Sequence, residues 1–506
     1  MPSRILQAWN AEAVDLALVP VLPVEAFQQI VADTVTAGGR MSAYFGRPAG
    51  DGMVDVTAVL ADDSQGKLGV LATRMGKSCA SLAAECPSLQ LFERELYEQC
   101  GVRPEGHPWL KPVRFEPPLA EGVDPFGRRA DPRVIPGDYP FFRVEGEEVH
   151  EVAVGPVHAG IIEPGHFRFQ CHGEHVFFLE IALGYQHRGA ERLLAGGPDR
   201  RTLALVESVA GDTVVGHGLA YVNAVEGLAG CQIPPRAAVL RGVALELERL
   251  ANHVGDLGML AGDVGFLPTA SYCGALRADF LNALAEVCGN RFGRGLLVPG
   301  GVRFDLDSGA ADRLADKVQK AWESVEAAAR LFFDSPSARN RTDGTGVVTR
   351  DLCNQLGLVG PAARACGVSR DVRRDHATGV FRFVHVPTVT GETGDVFARA
   401  WVRLMESERS AEFAVRQLRS LPAGPVRAPC APPVAGRLVV SLMEGWRGEI
   451  AHVAVTGGDG RFARYKIKDP SFHNWMGLAM ALRGEQISDF PLCNKSFNLS
   501  YCGHDL

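Results

Sequence analysis

Thiolates and imidazoles are the side chains best suited to hold a transition metal, and this 506-residue chain carries 12 cysteines and 14 histidines. Their spacing does not make a cluster. The closest cysteines are Cys79 and Cys86, so there is no CxxC pair to start a zinc or iron–sulfur site. The run CHGEH, with Cys171, His172 and His175, is the nearest approach to a ligand group, but it sits between two strand-like stretches and reads as a hairpin turn. Phosphate chemistry fares no better. The glycines of GGDG, Gly457 to Gly460, have no Walker lysine after them, and no GxGxxG joins a strand to a helix, so direct NAD binding is not expected. His187 with Arg188, and Glu248 with Arg249, read first as residues that hold helices together through buried ion pairs.

The elements that would position such residues follow from hydrophobic periodicity. Strand-like runs MSAYFG, MVDVTAVLAD and KLGVLATRM alternate with helical stretches at Val24 to Thr36 and Ser78 to Glu85, predicting a small α+β domain over residues 1–115. Residues 116–145 are rich in Pro, Gly and charge and read as a linker. The rest, 146–506, is predicted to be mainly α-helical, with a small sheet at its start (strands near Val152, Phe167 and Val176) and a β-meander from Gly436 to Lys468 turning at GWRGE and GGDG. Pro234 and Pro235 open a helix whose Leu240, Val243, Leu247, Leu250, Val254 and Leu257 recur three and four apart. Ala311 to Phe333 and Asp395 to Leu418 are two more amphipathic helices.

Composition bounds the class. An apolar fraction of 46% with 22% charged residues is that of a globular protein, and the length calls for more than one core. A net charge of -7 supplies no field for a nucleic-acid backbone, so nucleic acid is not an expected partner. The opening segment is broken by Asn10, Glu12 and Asp15 and does not read as a secretory signal. No later stretch approaches the roughly 18 apolar residues of a spanning helix, so peripheral attachment through partners on the cytoplasmic face of the membrane is expected.

Several motifs carry a family resemblance. FERELYEQCGVRPEGHP in the first region, then GPVHAGIIEPGHFRF, GYQHRGAERLL, LAYVNAVEGLAGCQIPPRA, LERLANH, KIKDPSFHNW and LRGEQISDFPL, resemble in order a fusion of two peripheral-arm subunits of respiratory complex I. The overall pattern is most similar to the large subunits of membrane-bound group 4 nickel-iron hydrogenases. The resemblance implies a hydrogenase-large-subunit-like second domain, a small iron–sulfur partner subunit carrying the cluster, membrane antiporter-like and anchor subunits, and a cavity used for nickel-iron or for quinone.

Four cysteine ligands hold the metals in that family. The corresponding positions here are Ala210, Thr213, Ser500 and Gly503, so no metal and no resident cofactor is expected in this chain. The family's quinone histidine corresponds to His166, and its tyrosine to Gly211, beside Asp212. The resemblance therefore nominates His166 as a possible quinone contact, and His166, Asp212, His217, Glu226 and Asp375 as quinone or proton-path residues. Glu163, Arg168, His187, Arg188 and His376 also match charged family positions. The expected role is to couple electron arrival from the iron–sulfur subunit to ion translocation; quinone reduction, hydrogenase activity and a purely structural scaffold are the alternatives.

Overall fold

The computed structural model describes residues 4–115, 117–120, 124–127 and 135–506. Part of the expected linker, 116–145, lies outside the described residues. The chain mixes α and β structure in several small, mostly antiparallel sheets.

The N-terminal elements are β1 (Leu6–Ala8), β2 (Ala13–Asp15), β3 (Val21–Leu22), α1 (Val24–Thr36), β4 (Arg40–Pro48), β5 (Val54–Asp62), β6 (Lys67–Met75), β7 (Ser78–Ala80), α2 (Gln90–Cys100) and β8 (Arg103–Glu105). A sheet ordered β1-β6-β5-β4 forms here, with β3 added in parallel to β6. Both of its faces are covered, which explains the unbroken apolar run Ala58 to Ala61 in β5: Val56, Ala58 and Leu60 face α1 and α2, and Val59 and Ala61 face the other way.

One expected helix is corrected. Ser78 to Glu85 is not helical; it is the short strand β7 followed by a turn, and the helix begins at Gln90. The Glu93 carboxylate explains the difference, accepting from Ser81 Oγ at 2.5 Å and from the Leu82 amide at 2.8 Å, which pins the turn back onto α2.

A small sheet follows, β9 (Val149–Val154), β10 (His166–His172) and β11 (His175–Ala182), ordered β11-β10-β9. CHGEH is its hairpin: Cys171 is buried, whereas His172 is turned outward onto Glu148. The helical part comprises α3 (Val214–Ala229), α4 (Pro235–Asp263) and α5 (Leu267–Cys288), the hairpin β12 (Leu297–Val298) and β13 (Gly301–Val302), then α6 (Ser308–Phe333), α7 (Val372–Asp375) and α8 (Val396–Arg419). The meander is β14 (Arg437–Gly445), β15 (Gly448–Thr456) and β16 (Phe462–Lys468), followed by α9 (Ser471–Ala481), α10 (Phe490–Phe497) and α11 (Tyr501–Asp505).

The meander is sandwiched. Leu438, Val440, Leu442, Ala451 and Val453 pack on the first sheet, while Val439, Met443, Ile450 and Ala454 join the helical core around α3. Strand β2 pairs with β14, so the first residues of the chain extend the last sheet. Buried charge ties the helices to it. Arg364 bridges Glu406 on α8 at 2.6 Å and Glu444 on β14 at 2.8 Å, and Arg373 on α7 bridges Asp371 at 2.6 Å and Glu246 on α4 at 2.9 Å. Glu248 and Arg249 do not pair with each other: Arg249 binds Glu406, and Glu248 caps the start of α3.

Candidate functional site

A cavity of about 570 Å³ opens where the residues before α3, the middle of α4, the start of α5, the β14–β15 turn and the C-terminal segment converge. Its wall includes Glu163, Asp212, Asn252, Asp256, Arg277, Arg447, Lys495, Asn498 and Tyr501. Three turns set it up. The first brings Gly211 and Asp212 to the N-terminal end of α3; the second, Gly445 to Gly448, carries Trp446 and Arg447. The third is Asn498, which ends α10 in the left-handed region at φ 44° and so turns its carbonyl toward the cavity.

Arg447 is the hub. Its guanidinium meets the Asp212 carboxylate through two parallel bonds, Nη1–Oδ1 at 2.7 Å and Nη2–Oδ2 at 2.8 Å, while Nε donates to the Asn498 carbonyl. The plane stacks on Trp446, 3.8 Å from the ring. Trp446 Nε1 in turn donates to the Asp212 carbonyl and to Thr213 Oγ1, each at 3.1 Å. Burial would raise the Asp212 carboxyl, but the Arg447 guanidinium outweighs it and holds Asp212 below the usual carboxylate range.

None of the four positions that the resemblance aligns with thiolate ligands, Ala210, Thr213, Ser500 and Gly503, offers a metal donor of that kind. Ala210 is fully buried. Thr213 Oγ1 is spent on Asp212 and Trp446. Ser500 Oγ caps α11, accepting from the Gly503 amide at 2.9 Å. At Gly503 a β-carbon would lie 2.7 Å from the Asp469 carboxyl carbon, so Asp469 fills the space a cysteine would need. Cys502 does reach the cavity wall, but burial pushes its thiol up to about 11, leaving it protonated. The donor set does not fit a nickel-iron centre.

Behind Gly503 runs a fully buried relay. His217 Nε2 donates to Asp469 Oδ2 at 3.0 Å, His217 Nδ1 is 3.0 Å from His452 Nε2, and His452 Nδ1 is 2.9 Å from Tyr465 Oη. A consistent tautomer assignment has each group donating toward Asp469. Glu248 lies beneath the cavity floor, accepting from the Val215 and Gly216 amides at 2.7 and 3.0 Å; burial pushes its carboxyl up to about 8.

Of the five residues nominated from the sequence, Asp212 lines the cavity and His217 stands one layer behind it. The other three are elsewhere. His166 opens β10 with its ring against Phe141 and Arg168, and burial lowers its pKa. Glu226 lies near the far end of α3, paired with Arg241 at 2.6 Å. Asp375 ends α7 in a separate concavity with Trp9 and Arg382. Where the resemblance points to His166, the cavity wall presents Tyr501, whose hydroxyl is 3.2 Å from His158 Nε2. Arg447 and Asp469 also escaped the sequence reading, although both stand inside noted segments, GWRGE and KIKDPSFHNW. His187 and Arg188 bind main-chain carbonyls of Asp505 and Val209, joining the C-terminus to the loop before Ala210.

Residues 263–435 and 430–505 match the family described as respiratory-chain NADH dehydrogenase, 49 Kd subunit. The carbon monoxide-induced hydrogenase of Rhodospirillum rubrum is 33% identical over 350 residues, covering 69% of this chain and 97% of that protein. The chain belongs to this 49 Kd subunit family. Formate hydrogenlyase subunit 5 of Escherichia coli is 28% identical across 83% of the chain and 76% of its own length, and NADH-quinone oxidoreductase subunit 4 of Thermus thermophilus is 30% identical across 68% and 90%. Family membership thus joins hydrogenase and NADH-quinone oxidoreductase relatives on one scaffold. In this 49 Kd-family chain the cavity holds an arginine–aspartate pair. No described helix is long and apolar enough to cross a membrane.

Proposed function

We propose that this chain is the cavity-bearing subunit of an energy-converting oxidoreductase complex, coupling electron arrival at an iron–sulfur partner subunit to ion translocation without nickel-iron. The observation that carries the reading is Asp469 standing in the space above Gly503, in contact with a buried imidazole relay. A carboxylate lies against the position that the resemblance aligns with a thiolate ligand, so on this reading the site responds to charge by moving protons and ion pairs. Reduction of a nearby cluster adds negative charge; Asp212, held ionised by Arg447, and Glu248, poised near neutrality, are the groups whose occupancy that charge would alter.

The finer assignments belong to the same reading. The helical region and meander form a hydrogenase-large-subunit-like domain after an α+β domain and a linker. A small iron–sulfur subunit covers the cavity mouth, where Ile161 and Met259 stand exposed. Antiporter-like and anchor subunits hold the complex peripherally on the cytoplasmic side of the membrane. The test is made on the purified complex in sealed vesicles. Asp212→Asn should leave cluster reduction intact and abolish coupled ion uptake; uptake at the wild-type rate would return the chain to a scaffold role. Stoichiometric nickel in the complex would overturn the metal-free assignment.

Quinone reduction is a second reading, favoured by the Tyr501–His158 pair, which sets the phenol of the cavity wall beside an imidazole. Cluster reoxidation by a short-chain quinone, lost in Tyr501→Phe, would support it. Reoxidation unaffected by that substitution would count against this pair as the quinone contact.

A further inference from the structure

Far from the cavity, at the opposite end of α3, two thiols face each other across a surface seam. Cys231 follows the C-terminus of the helix, its amide donating to the Glu226 carbonyl at 2.9 Å. Cys430 belongs to a proline-rich strap, LPAGPVRAPCAPPVAG, between α8 and the meander. The strap is held on both sides of Cys430: Val302 donates to the Val426 carbonyl at 2.9 Å, Ala428 to Gly300 at 2.9 Å, and Val434 to Leu228 at 3.0 Å. Between these anchors Cys231 Sγ approaches at 3.5 Å the carbonyl of Pro429, the residue next to Cys430, which places the two thiols side by side. Both are half-buried, next to the exposed Gln232, Pro429 and Ala431, whereas nine of the twelve cysteines are buried.

We propose that Cys231 and Cys430 are a dithiol modification site that closes to an intrachain disulfide in exchange with small-molecule disulfides of the glutathione class. The strap's anchors are backbone bonds on either side, so Cys430 is held beside Cys231 before any bond forms. Burial pushes the Cys430 thiol up to about 12, with the neighbouring Cys231 sulfur favouring the protonated form of Cys430, so Cys231 is the attacking sulfur. Its thiolate attacks one sulfur of the co-reactant and expels one thiol, leaving a mixed disulfide on Cys231. Cys430, giving its proton to solvent, then displaces the second thiol and forms the Sγ–Sγ bond. Two cysteine thiols are oxidised and one external disulfide is reduced to two thiols, so electrons and protons balance. The bond would clasp the strap to α3 beside the Glu226–Arg241 pair and would persist until a dithiol reductant reopened it.

The test is thiol mapping of the intact protein. After incubation with oxidised glutathione, free thiols are alkylated under denaturing conditions and peptides identified by mass. The expected result is a linked Cys231–Cys430 peptide, lighter by two hydrogens than its reduced parts and lost on reduction, while Cys79, the third half-buried thiol, is recovered as its alkylated or glutathionylated form. In Cys430→Ser, Cys231 should stop at the mixed disulfide. Recovery of both cysteines as free thiols in wild type, or only as separate glutathione adducts or intermolecular links, would overturn the proposal.

Discussion

At the scale of single residues, the Asp212–Arg447 pair governs the cavity. Arg447 is nearly inaccessible, whereas the Asp212 side chain is 35% exposed, so water shares the aspartate and the pair is worth less than a fully buried one. Breaking a buried pair costs about 3–5 kcal/mol; with Asp212 partly hydrated, Arg447→Ala should cost about 2 kcal/mol, read from the denaturant midpoint. Arg447→Lys should recover little of it, since an ammonium cannot make the two parallel bonds or stack on Trp446. Glu248 gives a pH signature. Its carboxyl titrates at about 8 in the folded chain and near the ordinary value of about 4.3 when unfolded, so between these the native state holds a proton the unfolded chain has lost, and stability falls as pH rises. Glu248→Gln should flatten the decline of melting temperature from pH 5 to 8. An unchanged slope would mean that Glu248 is already ionised across that window. On the acid side the sign reverses: burial lowers His253 to about 3, so stability falls as pH drops below about 6.5, where the unfolded histidine gains its proton.

At the scale of elements, the turn carrying Arg447 depends on a backbone contact with no side chain in it. Gly360 has φ +68°, and a β-carbon there would sit 2.0 Å from the Arg447 carbonyl oxygen. Gly360→Ala should therefore destabilise the protein by about 3 kcal/mol or more and displace Arg447 from Asp212. Near-ultraviolet dichroism from Trp446 would report the displacement, and an unchanged spectrum would contradict it. Periodicity revealed α4, α8 and the meander because each buries a continuous stripe or a full alternating face. It misplaced the helix near Ser78 because Glu93, a residue of the next element, reaches back to fix the turn. The site was legible only in outline. Asp212 stood beside the missing ligands, but Arg447 lay in a segment read as a turn, and nothing local indicated that its partner was 235 residues away. His166 and Glu226 were nominated by resemblance, and the ring packing and ion pair that occupy them are tertiary facts.

At the scale of the whole molecule, the first and last parts of the chain form one sandwich. Arg40 on β4 binds Glu449 on β15 at 2.7 Å, and Ser42 meets the same carboxylate at 3.1 Å. Asn10 is clamped to the Leu442 main chain by a pair of bonds, 3.0 Å from its Nδ2 to the carbonyl and 2.7 Å from the amide to its Oδ1. Removing residues 1–16 would strip β2 from the edge of the meander and expose apolar Leu438. The truncated chain should melt at lower temperature and bind a hydrophobic dye; an unaltered melting curve would show the strand to be dispensable.

The Asn10 clamp also imposes a schedule on biosynthesis. Its partner emerges 432 residues later, so at roughly 5–20 residues per second Asn10 waits on the order of 20–90 seconds for the strand that clamps it. For most of that interval, once β6 has been made, Ala43, Phe45, Val59 and Val70 lack the meander that buries them in the finished fold. A ribosome stalled before Arg437 would hold a nascent chain with one greasy sheet face open, a natural substrate for a holding chaperone.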